Sequence, residues 1–345
     1  MRAAVLHAFG EPLAVEDVPD PAPADDGAVV AVRATGVCRS DWHAWQGHDA
    51  SVVLPHVGGH ELAGEVVAVG PQVRSVQVGD RVTVPFCCGC GVCEPCTRGE
   101  TQVCERDLQP GFTLWGSFAE LVALPCADLN LVRLPEGLGF VAAAALGCRF
   151  MTAWAALRVH GRVAEGEWVA VHGCGGVGLS AVMIAVAAGA RVVAVDIDPA
   201  KLDRARELGA AAVADASRED AAAAVESLTG GGAHVAVDAL GSPETLAASV
   251  LGLRRHGRHL QVGLLLAGDE RPPVPMARVI SRELTLHGVH GMAVRHYPGL
   301  LDAVASGALD PAALVGRTLA LDDVGAELAA MGGFATRGLS VVDRL

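Results

Sequence analysis

Two rhythms of apolar and polar positions divide this chain. Up to Ala145 the apolar runs are short and β-branched: Ala28–Val32, Glu65–Val69 and Arg81–Val84. Gly, Pro and Asp separate them, as at Pro19-Asp20-Pro21 and Gly79-Asp80, a pattern that predicts short strands joined by long connections. After Phe150 the spacing lengthens. Trp168–His172 reads as a strand, followed by a Gly-rich turn and a helical run through Ala188. Strands are then predicted at Arg191–Asp196, Ala211–Ala214, His234–Asp238, Arg258–Gly263 and Leu284–Val289. Helices are predicted between them at Pro199–Leu208, 219–228 and Pro243–Leu253, the first opened by Asp198 as N-cap with Pro199 at its first turn. That alternation predicts an α/β fold with a doubly wound parallel sheet of Rossmann type over 149–289. Residues 1–148 and 290–345 are expected to form a β-rich domain, with a helix at 298–306 and a terminal strand near Leu339–Val342.

Composition narrows the classes. The chain has 345 residues, 51% of them apolar and 19% charged, with a formal charge of −13. An acidic chain without basic runs is a poor partner for nucleic acid. Mean hydropathy is +0.38, yet the most apolar run, residues 181–190, falls well short of the ~20 residues that a membrane span needs. The first residues, MRAAVLHAFGEP, lack the apolar core of a signal peptide, so the expected compartment is a reducing cytoplasm. Six of ten cysteines lie between Cys87 and Cys104, and in that setting clustering points to metal rather than to disulfides.

Three polar constellations carry chemistry. Gly173-Cys174-Gly175-Gly176-Val177-Gly178 reads G-x-G-G-x-G between a strand and a helix, where Gly-rich backbone and a helix N-terminus suit a pyrophosphate. Asp196 ends the next strand, 18 residues after Gly178, where a carboxylate receives ribose hydroxyls and repels a 2′-phosphate. NAD is therefore expected over NADP. Lys201 is within reach of the same ribose, and Val262 is taken as a further cofactor contact. Secondly, Cys90, Cys93, Cys96 and Cys104 are spaced C-x2-C-x2-C-x7-C, as a closed tetrahedral zinc site requires. Cys87, Cys88, Cys126 and Cys174 stand outside any such spacing. Thirdly, Cys38, His60 and Cys148 come from three distant segments; two thiolates and an imidazole would leave zinc an open position, although spacing alone leaves open whether they meet.

With these motifs in order, the chain resembles the zinc-dependent medium-chain alcohol dehydrogenases along essentially its whole length. The matching residues are Gly36-Val37-Cys38 with Ser40, Asp41 and His43, Gly58-Gly59-His60-Glu61, Val78-Gly79-Asp80-Arg81-Val82, the four-cysteine lobe, Cys148 and Gly173–Gly178. The resemblance implies a GroES-like catalytic domain beside the Rossmann domain, and two zinc ions per chain. It implies that Cys38, His60 and Cys148 ligate a catalytic zinc, that Asp41 holds His60, and that Ser40 passes a proton through the nicotinamide ribose to His43. Glu61 is implied either as an alternative metal ligand or as a charge beside the metal. Thr152 matches a nicotinamide contact. Phe86 and Trp115 match pocket walls, to which Trp42 and Trp45 would add, and such walls suit hydrophobic alcohols and aldehydes. Arg337 precedes Gly338 where many members place an arginine just inside the terminal strand, so its phosphate contact does not carry over simply. The expected partner is a small alcohol or aldehyde, and the expected assembly a homodimer or homotetramer joined through the strand at Leu284–Val289. A polyol dehydrogenase of the same superfamily and a non-catalytic NAD- and zinc-binding protein are the competing readings. The second thiolate at Cys148 disfavours the first, and the Ser40/His43 pair the second.

Overall fold

The computed structural model describes residues 1–265, 270–333 and 338–345; Arg337 lies outside them. The chain forms two units, Thr152–His290 and the pair of segments Met1–Met151 with Gly291–Leu345. The first boundary therefore falls beyond Cys148, and Arg149 stays in the unit that holds Cys38 and His60.

Thr152–His290 is built on six parallel strands. Their order across the sheet is Ala212–Asp215, Arg191–Asp196, Trp168–His172, Ala233–Asp238, Leu253–Gln261 and Thr285–Gly288. Trp168–His172 is buried along its whole length, as a central strand covered on both faces must be. Crossover helices run over Gly176–Ala187, Pro199–Glu207, Ala221–Thr229 and Pro243–Leu251. Their starts are capped by side chains: Asp198 accepts from Ala200 N, Asp220 from Ala223 N, and Ser242 from Thr245 N. The strand order reverses between Trp168–His172 and Ala233–Asp238, and ligands of such sheets bind at the carboxyl ends on either side of that switch. Gly173 follows there directly.

The other unit is β-rich, as expected. One sheet runs Val315–Ala320, Leu339–Arg344, Ala28–Val37, Glu61–Val69, Arg81–Thr83 and Val132–Arg133, with Leu121–Leu124 also paired to Ala28–Val37. A second holds Ala14–Asp17, Arg2–Leu6 and His56–Val57. Two strands are longer than the apolar alternation predicts. Ala28–Val32 continues to Val37, and Glu65–Val69 begins at Glu61, because the antiparallel register carries both past polar positions to the pair Gly36–Glu61. That extension delivers one strand end to Cys38 and one strand start to His60 and Glu61. The helices Arg39–Trp45 and Val324–Met331 were not evident from periodicity. Among the described residues no helix is long and apolar enough to cross a membrane.

Candidate active site

Cys38 follows the strand Ala28–Val37 and caps the helix Arg39–Trp45. Its backbone N–H donates to Asp41 Oδ2 at 2.8 Å, and its sulfur accepts from the Asp41 N–H, a reciprocal cap with a cysteine in place of the usual serine. Asp41 Oδ1 also accepts from Gly59 N at 3.1 Å and from His60 Nδ1 at 2.8 Å. The second bond fixes the His60 tautomer and turns its Nε2 lone pair away from Asp41. That Nε2 is buried and has no hydrogen-bond partner among the described residues. Cys148 opens the helix Cys148–Trp154, and one ligand atom each from Cys38, His60, Glu61 and Cys148 lies within 4.8 Å of the others.

The donors of this cluster perturb one another's protonation. The Cys148 thiol hydrogen-bonds Cys38 and, with Arg149 and His60, outweighs burial to hold the Cys38 thiol well below its usual value; Cys148 is pushed up in return. Burial lowers His60, but Asp41 and the Cys38 sulfur more than offset it and hold the imidazole well above its ordinary range. Two sulfurs and an orphaned imidazole nitrogen are a donor set that fits zinc.

The second cluster fits as well. Sγ atoms of Cys90, Cys93, Cys96 and Cys104 lie within 4.8 Å of one another, and Cys93 and Cys104 are 3.8 Å apart. Ligands of a tetrahedral zinc with bonds of about 2.3 Å would stand at nearly that separation. Backbone N–H groups of Val92 and Cys93 help bring the Cys90 thiol down to about 6. Cys87 and Cys88 are buried, with thiols pushed up by burial, and all ten cysteines are free of disulfides.

Beside the first cluster, Ser40 Oγ is 3.8 Å from Cys38 Sγ. His43 Nδ1 meets His48 Nδ1 at 3.0 Å. Burial, then the charges of His48 and Arg39, push the His43 imidazole down. Phe86 stands edge to His60 with ring centres 5.9 Å apart, and Phe112 does the same at 5.3 Å. Trp115 is 40% exposed and donates to Pro55 O at 3.3 Å. Trp42 and Trp45 are half-buried and pack against the core that holds Leu328 and Met331. Phe112, His48 and Arg149 had no signal in the spacing: each acts through a contact made only once the chain is folded.

In the parallel-sheet unit the glycines explain the loop. A Cβ on Gly178 would lie 1.8 Å from Gly173 O, so the helix packs onto the turn only without one. A Cβ on Gly175 would meet nothing within 4 Å, which leaves the helix start open to a ligand. Asp196 Oδ2 accepts from Cys174 N at 2.6 Å, and Oδ1 from Ile197 N and Asp198 N at 2.8 and 3.0 Å. Three N–H donors thus take three of the carboxylate's roughly four lone-pair sites, on both oxygens, and one is left for a hydroxyl donor. The charge of Lys201 reaches Cys174 in the same loop. Val262 N donates to Asp238 O at 3.0 Å, and Thr152 is buried on its helix.

Comparison with known proteins bears on both units. Residues 24–136 match the model of the alcohol dehydrogenase GroES-like domain, and residues 176–306 that of the zinc-binding dehydrogenases. An alcohol dehydrogenase of Geobacillus stearothermophilus is 37% identical over 278 residues, 80% of each chain. The solved alcohol dehydrogenase from Thermus sp. ATN1 superposes with a TM-score of 0.91 at 32% identity, over 100% of both chains. A solved NAD-dependent alcohol dehydrogenase gives 0.90 at 33% identity, over 99% of both. By these matches the chain belongs to the zinc-binding alcohol dehydrogenases of the medium-chain dehydrogenase/reductase superfamily.

Proposed function

We propose that the protein transfers a hydride between a primary or secondary alcohol and NAD, giving an aldehyde or ketone reversibly. It would hold two zinc ions: one structural, on Cys90, Cys93, Cys96 and Cys104, and one catalytic, on Cys38, His60 and Cys148. The observation that carries the reading is His60, whose Nδ1 is fixed on Asp41 while its buried Nε2 finds no partner beside two thiols. The chemistry such a metal supplies is Lewis acidity toward an oxygen donor.

The chain's own residues do the rest. Asp41 keeps the imidazole in its ligating tautomer. Ser40 Oγ, beside Cys38 Sγ, accepts the alcohol proton as its own hydroxyl proton passes on toward His43. His43, held neutral near physiological pH by its surroundings, is the next base toward water. Phe86 and Phe112 give the His60 side of the site two apolar rings, which exclude water and favour hydrophobic alcohols over sugars. In the other unit Asp196 favours NAD over NADP by repelling a 2′-phosphate.

The test is steady-state kinetics on a panel of alcohols and aldehydes with NAD and NADP, alongside elemental analysis. Two zincs per chain and NAD-linked turnover of hydrophobic alcohols are expected. One zinc per chain would remove one of the two centres, equal use of NADP would remove the ribose role of Asp196, and preference for polyols would overturn the substrate class.

A further inference from the structure

Arg149 is the residue after Cys148, and its side chain is buried. Its backbone N and its Nε donate to Glu61 Oε1 at 3.2 and 3.1 Å, and Nη2 donates to Glu61 Oε2. Nη1 donates to Val37 O at 3.1 Å. Val37 precedes Cys38, and Glu61 follows His60. One guanidinium therefore ties together the three segments that carry Cys38, His60 and Cys148.

The backbone around this pair is cut to admit it. A Cβ on Gly36 would stand 2.2 Å from Glu61 Oε2 and 3.0 Å from Arg149 Nη2. A Cβ on Gly147 would stand 2.4 Å from Glu61 Cβ. The carboxylate so enclosed has two cations to choose between. It pairs with Arg149 at both oxygens, yet one of its oxygens also lies within 4.8 Å of the ligand atoms of Cys38, His60 and Cys148. A buried carboxylate stripped of its partner is strongly destabilised and turns to whatever positive charge is in reach.

We propose that Arg149 is a positioning residue of the metal centre: it aligns the three ligand segments and keeps the Glu61 carboxylate on itself, so that a metal held by Cys38, His60 and Cys148 retains an open position. The proposal rests on the reading of those three residues as metal ligands. Without the guanidinium, Glu61 becomes the fourth ligand and closes the site.

The test uses full-length protein loaded with Co2+ in place of zinc, with the visible ligand-field spectrum titrated with imidazole. The difference against Cys148→Ala isolates the Cys38 site. Wild-type protein should show a spectral shift on imidazole binding. In Arg149→Met the spectrum should already differ before any is added, and imidazole affinity should fall by about tenfold or more. Arg149→Met combined with Glu61→Gln should recover the imidazole response, and Arg149→Lys should keep it. An Arg149→Met protein with the wild-type spectrum and imidazole affinity overturns the proposal. Where Arg149→Met takes up no cobalt at this site, the lysine variant decides: retained uptake and response support the role of the charge, and loss of both overturns it. Wild-type protein that gives no difference against Cys148→Ala fails the metal reading itself, which a silent Arg149 variant does not.

Discussion

His43 and His172 show how burial sets what an imidazole does. Burial and the charges of His48 and Arg39 keep His43 neutral near physiological pH, so it is ready to accept a proton. Asp49 nearby is tied to Ser51, and Glu327 on the helix packed against Arg39–Trp45 to Arg317 and Ser340, so neither carboxylate is spent on it. His43→Ala should slow alcohol oxidation by about 10²-fold, most below roughly pH 7–8, with small amine buffers restoring part of the rate. Ser40→Ala should cost more, since no diffusing base replaces a hydroxyl fixed beside the substrate, and Ser40→Thr should be tolerated. Zinc content should not change in any of the three. A wild-type pH–rate profile without buffer response in His43→Ala would remove that residue from the reaction. His172 is buried deeper, and burial pushes it down to about 4. The unfolded chain, with an imidazole near 6.5, binds the proton that the folded one refuses, so this contribution is complete above about pH 6.5 and is lost as pH falls toward 4. It amounts to roughly 3 kcal/mol. Melting temperatures of His172→Phe across that range should show a flatter acid limb than wild type; an unchanged limb would assign the acid sensitivity elsewhere. At this scale the sequence was legible where ligands are close along the chain, as in the four-cysteine lobe. Arg149 and Glu61 are 88 positions apart, and only the register that sets Gly36 against Glu61 brings them together.

Elements in the parallel-sheet unit were legible for a physical reason. Strands buried on both faces are unbroken apolar runs, and Gly, Pro and Asp mark their ends, so Trp168–His172 and Arg191–Asp196 emerge at their predicted bounds. The helix Arg39–Trp45 did not, because its cap is a cysteine, outside the usual Ser, Thr, Asp and Asn. The tight joint between Trp168–His172 and Gly176–Ala187 makes a sharp prediction. Gly178→Ala should force the helix off the turn, cost roughly 3 kcal/mol and weaken NADH binding, read by fluorescence titration and thermal melting. Unchanged NADH affinity would mean that the loop does not hold the cofactor. On the next strand, Asp196→Ala with Ile197→Arg should move preference toward NADP. The two cysteine clusters should also part company. Cys148→Ala should remove one metal and the activity with little change in melting, whereas Cys96→Ala should lower stability and solubility first. Equal effects on melting would dissolve the distinction between an open and a closed site.

At the scale of the molecule, Thr285–Gly288 is the exposed edge of the six-stranded sheet. An edge unpaired among the described residues is a ready template for a second copy, and the expected homodimer or homotetramer would join there. Leu286→Pro should therefore shift sedimentation toward monomer, and an unchanged oligomer would place the interface elsewhere. The strand Leu339–Arg344 lies inside its sheet, paired on one side with Val315–Ala320 and on the other with Ala28–Val37, the strand that leads into Cys38. A ribosome delivers that strand only after the whole of Thr152–His290. The parallel-sheet unit has all its strands before Leu339–Arg344 is made, whereas the sheet that presents Cys38 is until then one strand short. If the Cys38 centre takes a metal only on the finished sheet, a nascent chain stalled before Leu339 should bind NADH before it can hold a metal there.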